Sequence, residues 1–197
     1  SITINAVNDA PVAAAGTASG SEDTMISGNA MATDVDGGTL SYALVSGPSH
    51  GTLVFNANGS FSYTPAADYN GPDSFTFKAN DGSLGSNVAT VSITINAVND
   101  APVAAAGTAV GNEDTVISGN AMATDVDSAT LSYSLVSGPS HGTLVFNPDG
   151  SFSYTPGADY NGPDSFTFQA SDGSLDSNAA TVSITINAVN DAPVAAA

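Results

Sequence analysis

In its 197 residues the chain has 19 Asp and Glu but a single basic side chain, Lys78, and its formal net charge is −18. This charge excludes nucleic acid as a partner, because almost nothing in the chain could neutralise phosphates. It also argues against anionic membranes, and no apolar run approaches the ~20 residues of a membrane span, so we expect no membrane insertion. With no cysteine, disulfides and thiolate metal sites are excluded as well.

A 91-residue sequence is repeated along the chain: residues 1–91 and 92–182 align without a gap and match at 78 positions. A fixed period of this kind indicates an array of similar domains, from which this chain is an excerpt. The sequence therefore predicts a repeat unit of about 90 residues, present twice. We place the last strand of a preceding repeat at 1–7, the two repeats at 8–98 and 99–189, and the start of a further repeat at 190–197.

Each repeat contains short segments in which apolar and polar residues alternate, separated by Gly, Pro, Asn and Asp. Val91, Ile93 and Ile95, for example, alternate with Ser92 and Thr94. No segment shows helical periodicity, so the pattern predicts strands throughout. In the first repeat they are expected at 11–18, 25–33, 39–46, 51–56, 60–64, 73–80 and 86–96. The predicted fold is all-β, with two tandem immunoglobulin-like Greek-key β-sandwiches of about seven strands each.

Successive strands of such a sandwich alternate in direction, so each loop can be assigned to one end. The first, third and fifth loops fall at the end where the chain leaves a repeat, and the second, fourth and sixth at the end where it enters. This assignment gathers acidic residues of both repeats at their junction. The eight carboxylates are those of Glu22, Asp23, Asp68, Asp73, Asp100, Asp125, Asp127 and Asp172.

Such crowding requires cations. Two like charges 4 Å apart repel by about 4 kcal/mol at an effective dielectric constant of 20, and no basic residue lies beside these in the sequence. Calcium suits the residue types best, because it takes 6–8 oxygen ligands in flexible geometry and needs neither nitrogen nor sulfur. The sequence therefore predicts Ca²⁺ at the junction.

The same aspartates also have a simpler interpretation. The Asp-x-Asp segments at 34–36 and 125–127 could be turns in which Asp bonds its own backbone, and Asp81 and Asp172, each before a Gly, could close turns. An EF-hand is excluded, because Val45 or Val136 occupies the twelfth position, where a bidentate Glu is required.

These residues resemble the motifs of a known family. Val98-Asn99-Asp100-Ala101-Pro102-Val103 resembles the Asn-Asp linker of cadherin repeats, and Ala123-Thr124-Asp125-Val126-Asp127 resembles their Asp-x-Asp motif. The segments at 75–82 and 166–173 resemble the strand that ends in a third aspartate. The whole unit is most similar to bacterial cadherin-like tandem repeats of large secreted RTX-type adhesins.

The resemblance implies calcium between successive repeats, held by Glu22, Asn99, Asp100, Asp125, Asp127 and Asp172. The equivalent half-sites are Asn8, Asp9, Asp34, Asp36 and Asp81 at one end of the chain, and Glu113, Asp159, Asp164 and Asp191 at the other. This chain departs from the animal family in two ways. Its linker is one residue shorter, and the acidic-Arg-Glu motif is absent, with Asp68 or Asp73 as the available stand-in.

We therefore expect extender repeats of a large bacterial adhesin, extracellular or at the cell surface, stiffened by calcium and projecting a distal binding domain. The partners would be neighbouring repeats of the same, monomeric chain. Catalysis is not expected, because each repeat has one histidine, His50 or His141, and no nucleophile motif. The alternative is a polysaccharide-binding or homophilic adhesion module in which Tyr69 and Tyr160 stack on sugar; otherwise these residues would form tyrosine corners that pin their loops.

Overall fold

A computed structural model describes residues 2, 3, 5 and 7–192 of the chain. It forms two compact units, Ser1–Val98 and Asn99–Ala197. Ser1, Ile4 and Ala6 lie outside the described residues, as do residues 193–197. The predicted remnant strand at 1–7 and the further repeat at 190–197 therefore stay predictions.

The described residues of the first unit form nine strands. They are β1 Val12–Ala14, β2 Gly16–Ser21, β3 Ile26–Asn29, β4 Met31–Thr33, β5 Ser41–Ser46, β6 Gly51–Phe55, β7 Ser60–Pro65, β8 Gly71–Asn80 and β9 Ala89–Asn96.

The second unit repeats these strands, each 91 residues later in the sequence. They are β10 Val103–Ala105, β11 Gly107–Asn112, β12 Ile117–Asn120, β13 Met122–Thr124, β14 Ser132–Ser137, β15 Gly142–Phe146, β16 Ser151–Pro156, β17 Gly162–Ser171 and β18 Ala180–Asn187.

Each unit is a sandwich of two sheets. In the first unit one sheet has the order β2-β9-β8-β5 and the other β3-β7-β6, while β1 and β4 form a separate pair. Strand β2 runs parallel to β9, and the other pairings are antiparallel. The second unit has the same order and register. The described residues contain no helix, and the predicted all-β fold of two tandem sandwiches is confirmed.

Two of the seven predicted strands are interrupted. The predicted strand at 11–18 divides because β1 pairs with β4, whereas β2 pairs with β9 in the other sheet. The predicted strand at 25–33 divides at Ala30, whose N–H donates to the Gly59 carbonyl at 2.8 Å. Both interruptions depend on partners distant in sequence, which period-two patterning does not reveal.

The core of each sandwich is aromatic at its centre and aliphatic along one strand. Tyr63, Phe75 and Phe77 are at most 1% exposed, and in β9 every second residue is buried. Gly28 is required by this packing, because a Cβ there would lie 2.6 Å from the Phe61 ring. Because β2 runs parallel to β9, both strands end on the side where the chain leaves the unit.

Candidate metal centre

Glu22 occupies the exit end of the first unit, directly after β2. Its backbone N–H donates to the Asn96 carbonyl at 3.0 Å, which fixes it beside the end of β9. The residue is only 1% exposed, and its Oε1 accepts a hydrogen bond from the Val98 N–H at 2.6 Å. Its Oε2 is shielded from solvent and has no hydrogen-bond donor among the described residues. A buried carboxylate oxygen in this state is costly unless a cation compensates it.

Glu113 has the same position in the second unit. It is 3% exposed, and its Oε1 accepts a hydrogen bond from the Val189 N–H at 2.6 Å. Here the second oxygen has a weak partner, since the Asn161 side-chain amide donates to Oε2 at 3.3 Å. Sequence reasoning did not single out Asn161, because an Asn-Gly pair in a loop reads as an ordinary turn.

Aspartates form a cluster at the exit end of each unit. In the first unit, carboxylate oxygens of Asp23 and Asp68 lie within 4.8 Å of one another; in the second, those of Asp114, Asp159 and Asp191 do so. Desolvation, followed by the charges of Asp114, Asp159 and Glu113, raises the pKa of Asp191. The described part of the second unit thus brings four acidic side chains into one electrostatic cluster.

The cluster aspartates also share an unusual backbone conformation. Among the residues that the structure describes, Asp23, Asp68, Asp114 and Asp159 are the non-glycine residues with positive φ, all between 57° and 59°. This left-handed conformation is uncommon, although Asp tolerates it better than most residues.

Asp73 and its counterpart Asp164 do not belong to this cluster. The sequence assigned Asp73 to the same loop as Asp68, but the structure places it in β8. Its carboxylate accepts hydrogen bonds from the N–H groups of Ser49, His50 and Ser74 and from the Tyr63 hydroxyl, at 2.8 to 3.0 Å. Desolvation opposes the charge on Asp73, but these hydrogen bonds outweigh it and lower the pKa. Both oxygens are therefore used inside the sandwich.

At the entry end of each unit, the incoming linker binds two loops. In the first unit the Asn8 side-chain amide donates to Asp81 at 2.8 Å, and the Asp9 N–H donates to Asp36 at 2.6 Å. In the second unit Asn99 donates to Asp172 at 2.6 Å, and the Asp100 N–H donates to Asp127 at 2.8 Å. Within each unit the strand-direction argument therefore brought the right loops together; the metal-binding role of these residues stays a prediction.

In the Asp-x-Asp segments the turn interpretation is correct for one oxygen of the first aspartate. Asp125 Oδ1 accepts from the N–H groups of Asp127 and Ser128 at 2.8 Å, and Asp34 Oδ1 accepts from Asp36 at 2.9 Å. The Oδ2 atoms of Asp34 and Asp125 are shielded from solvent and have no donor among the described residues.

Asp81 and Asp172 divide their oxygens in the same way. Asp172 Oδ1 closes a turn with the N–H groups of Ser174 and Leu175 at 2.6 and 2.7 Å, while its Oδ2 accepts the Asn99 amide. The Leu175 N–H, then Asn99 and the Ser174 N–H, lower the pKa of Asp172, so its carboxylate is ionised at neutral pH.

The candidate metal-ligand atoms at both ends of each unit are oxygens. Ionised carboxylates only accept hydrogen bonds, and the single basic residue of the chain, Lys78, cannot compensate two clusters per unit. Zinc would require histidine or cysteine for its usual sites, whereas calcium accepts carboxylate and amide oxygens in variable geometry. The residues present therefore fit calcium.

Tyr69 and Tyr160 pin their own loops. The Tyr69 hydroxyl donates to the Pro72 carbonyl at 2.8 Å, three residues later in the chain, whereas a tyrosine corner bonds to an earlier residue. One face of its ring is covered by His50, with ring centroids 4.1 Å apart and 4° between the planes. Stacking of Tyr69 on a sugar at that face would require His50 to be displaced.

No helix in the described part of the chain has the length and apolar character that crossing a membrane requires.

The profile of the bacterial cadherin-like domain family matches the chain twice, at residues 8–97 and 99–188. A search of curated proteins finds no significant match.

Solved structures with a similar fold include cadherin ectodomains. Human protocadherin-24 EC1-2 has 19% identity and a TM-score of 0.60, over 91% of this chain and 100% of that one. Human CDH23 EC21-23 has 19% identity and a TM-score of 0.58, over 92% of this chain and 70% of that one. Protocadherin gamma B2 extracellular cadherin domains 3–6 have 19% identity and a TM-score of 0.51, over 92% of this chain and 52% of that one. At these identities the likeness concerns the fold.

Proposed function

The chain belongs to the bacterial cadherin-like domain family, and on that premise we propose that it is a pair of calcium-stiffened extender repeats from a large secreted or surface adhesin, projecting a distal binding domain. Domains with this fold are generally non-enzymatic extracellular adhesion modules. Family membership does not include the extender role or the binding of calcium, and these are what we propose.

The observation that carries the proposal is the state of Glu22. A carboxylate that is 1% exposed, with one oxygen lacking any described donor, lies at the end of a unit whose other acidic groups include Asp23 and Asp68. A cation would relieve this arrangement, and the carboxylate oxygens at this end of the unit favour calcium.

The proposed ligands are contributed by three segments. They are Glu22, Asp23 and Asp68 of the first repeat, Asn99 and Asp100 of the linker, and Asp125, Asp127 and Asp172 of the second repeat. Support comes from the linker. The Val98 N–H donates to Glu22, and the Asp100 N–H donates to Asp127. Val98 and Asp100 are separated only by Asn99 along the chain. Asp73 is left out, because both of its oxygens already have donors.

When bound, calcium would neutralise the carboxylates and join ligands from neighbouring repeats. Without it, pairs of like charges at about 4 Å repel by about 4 kcal/mol at an effective dielectric constant of 20, and the linker is free to swing. Each repeat would thus contribute some of the calcium ligands, and bound calcium would make the linker rigid.

The proposal is tested by small-angle X-ray scattering of the chain in calcium and then in EDTA. We expect a larger maximum dimension and a narrower distance distribution in calcium. The double variant Asp125→Ala, Asp127→Ala should scatter like the wild type in EDTA under both conditions, while its circular dichroism stays that of folded sandwiches. A maximum dimension that does not change on chelation would remove the extender mechanism.

A further inference from the structure

A five-residue loop carries one of the cluster aspartates at each exit end. In the second unit this acidic loop is residues 157–161, between β16 and β17; in the first it is residues 66–70. Asp159 of this loop lies in the aspartate cluster, and Asn161 donates to Glu113. The residue between them, Tyr160, is directed elsewhere and stacks on the imidazole of His141.

The histidine holds this loop through its backbone as well as through its ring. The His141 carbonyl accepts a hydrogen bond from the Gly157 N–H at 2.8 Å, at the start of the loop. The His141 N–H donates to Asp164 at 2.8 Å, and the Asp164 side chain is itself only 4% exposed. The ring then covers Tyr160 at a centroid distance of 4.2 Å and an angle of 5°.

The first unit repeats the contacts of the histidine with the loop, although one of the five loop residues differs. Ala66 stands where the second unit has Gly157, yet its N–H donates to the His50 carbonyl at the same 2.8 Å. The His50 and Tyr69 rings stack at 4.1 Å and 4°. Asp68, with φ of 58°, directly precedes Tyr69, as Asp159, with φ of 57°, precedes Tyr160.

We propose that His50 and His141 are positioning residues for the calcium site: each clamps the tyrosine of the acidic loop, so that the preceding Asp is held in the aspartate cluster. In the second unit the clamp also holds Asn161 beside Glu113. This inference rests on the proposed function. In a loop of five residues, fixing the middle ring restricts its neighbours, and a preorganised ligand loses less conformational entropy on binding.

Calcium titration calorimetry on the full chain tests the proposal, with the double variant His50→Ala, His141→Ala. We expect about threefold to tenfold weaker binding, from the loss of an aromatic pair. His50→Phe with His141→Phe keeps a ring over the tyrosine and should restore the affinity. Val54→Ala with Val145→Ala, at positions 56% exposed in β6 and β15, is the matched control and should bind as the wild type.

The two repeats offer an internal comparison. Gly157 gives the second loop more backbone freedom than Ala66 gives the first. His141→Ala alone should therefore weaken binding at the exit end of its repeat more than His50→Ala does. Unfolding temperatures in EDTA establish that each variant is folded; if the alanine pair is not, His50→Gln with His141→Gln removes the ring while keeping bulk.

Each outcome decides one of the two proposals. Unchanged calcium affinity in the alanine pair, or a loss that phenylalanine does not restore, overturns the positioning role while leaving the extender function intact. Failure of the wild-type chain to bind calcium overturns the proposed function itself.

Discussion

At the scale of single residues, the hydrogen-bond donors around a carboxylate decide what that carboxylate does. The Asp164 side chain is buried, and its four hydrogen-bond donors lie within the sandwich. Asp172 accepts hydrogen bonds from a turn with one oxygen and from the linker with the other. Glu22 is buried, and one of its oxygens has no donor among the described residues. The three residues have similar chemistry, so burial and donor count distinguish the structural carboxylates from the candidate ligands.

The effect of Glu22→Gln on stability should have opposite signs in EDTA and in calcium. In EDTA the variant should be at least as stable as the wild type, because a buried charge next to other acidic groups is removed. In calcium it should be less stable, with affinity at least about tenfold lower, because a charged ligand is lost. Thermal unfolding under both conditions measures this, and a variant that lost stability equally in both would show that Glu22 has no ligand role.

Asp73 and Asp164 should contribute to acid unfolding. Since hydrogen bonds lower their pKa in the folded state, the stability they supply is complete above the unfolded value near 4 and is lost as pH falls through the folded value. Asp164→Asn should cost about 1–3 kcal/mol at pH 7, because buried N–H donors lose an acceptor, and its stability should depend less on pH below 4. Urea unfolding between pH 2 and 7 measures both, and parallel curves for variant and wild type would contradict the assignment.

At the scale of elements, short strands are completed by side chains. The Asn178 side chain accepts a hydrogen bond from the Ala104 N–H and donates one to the Ala104 carbonyl, both at 3.0 Å. Asn87 does the same for Ala13 in the first unit. An asparagine in the long loop before the last strand thus replaces a neighbouring strand for β10, whose three residues otherwise pair only with β13.

Asn178→Ala should destabilise the second unit by about 1–3 kcal/mol, since it leaves two buried backbone groups of Ala104 without partners. Ala179→Val is the matched control, because the first repeat has Val88 at that position, and it should be nearly neutral. Urea unfolding of the full chain measures both changes. Equal stability of the two variants would mean that water replaces the asparagine at no cost.

At the scale of the whole molecule, a chain with 19 acidic residues and one lysine should depend on cations for its stability. Calcium at about 100 times its dissociation constant should stabilise each ion-linked domain by about 2.7 kcal/mol per site. For domains of this size the unfolding temperature should rise by roughly 10–20 °C. Sodium chloride at equal ionic strength and magnesium are the controls, and equal unfolding temperatures in calcium and EDTA would contradict calcium binding.

The sequence by itself determined the repeat, the all-β class and the ends of the sandwich to which the acidic loops belong, because periodicity and strand alternation are local or follow from chain order. It assigned Asp125, Asp127 and Asp172 to loops that the linker does contact. Only the tertiary structure showed that Asp73 faces the turn at Ser49 and His50, that Asn161 reaches Glu113, and that His50 covers Tyr69. The physical reason is that a side chain's role depends on donors and rings brought close by folding from distant parts of the chain, and a linear pattern does not record those distances.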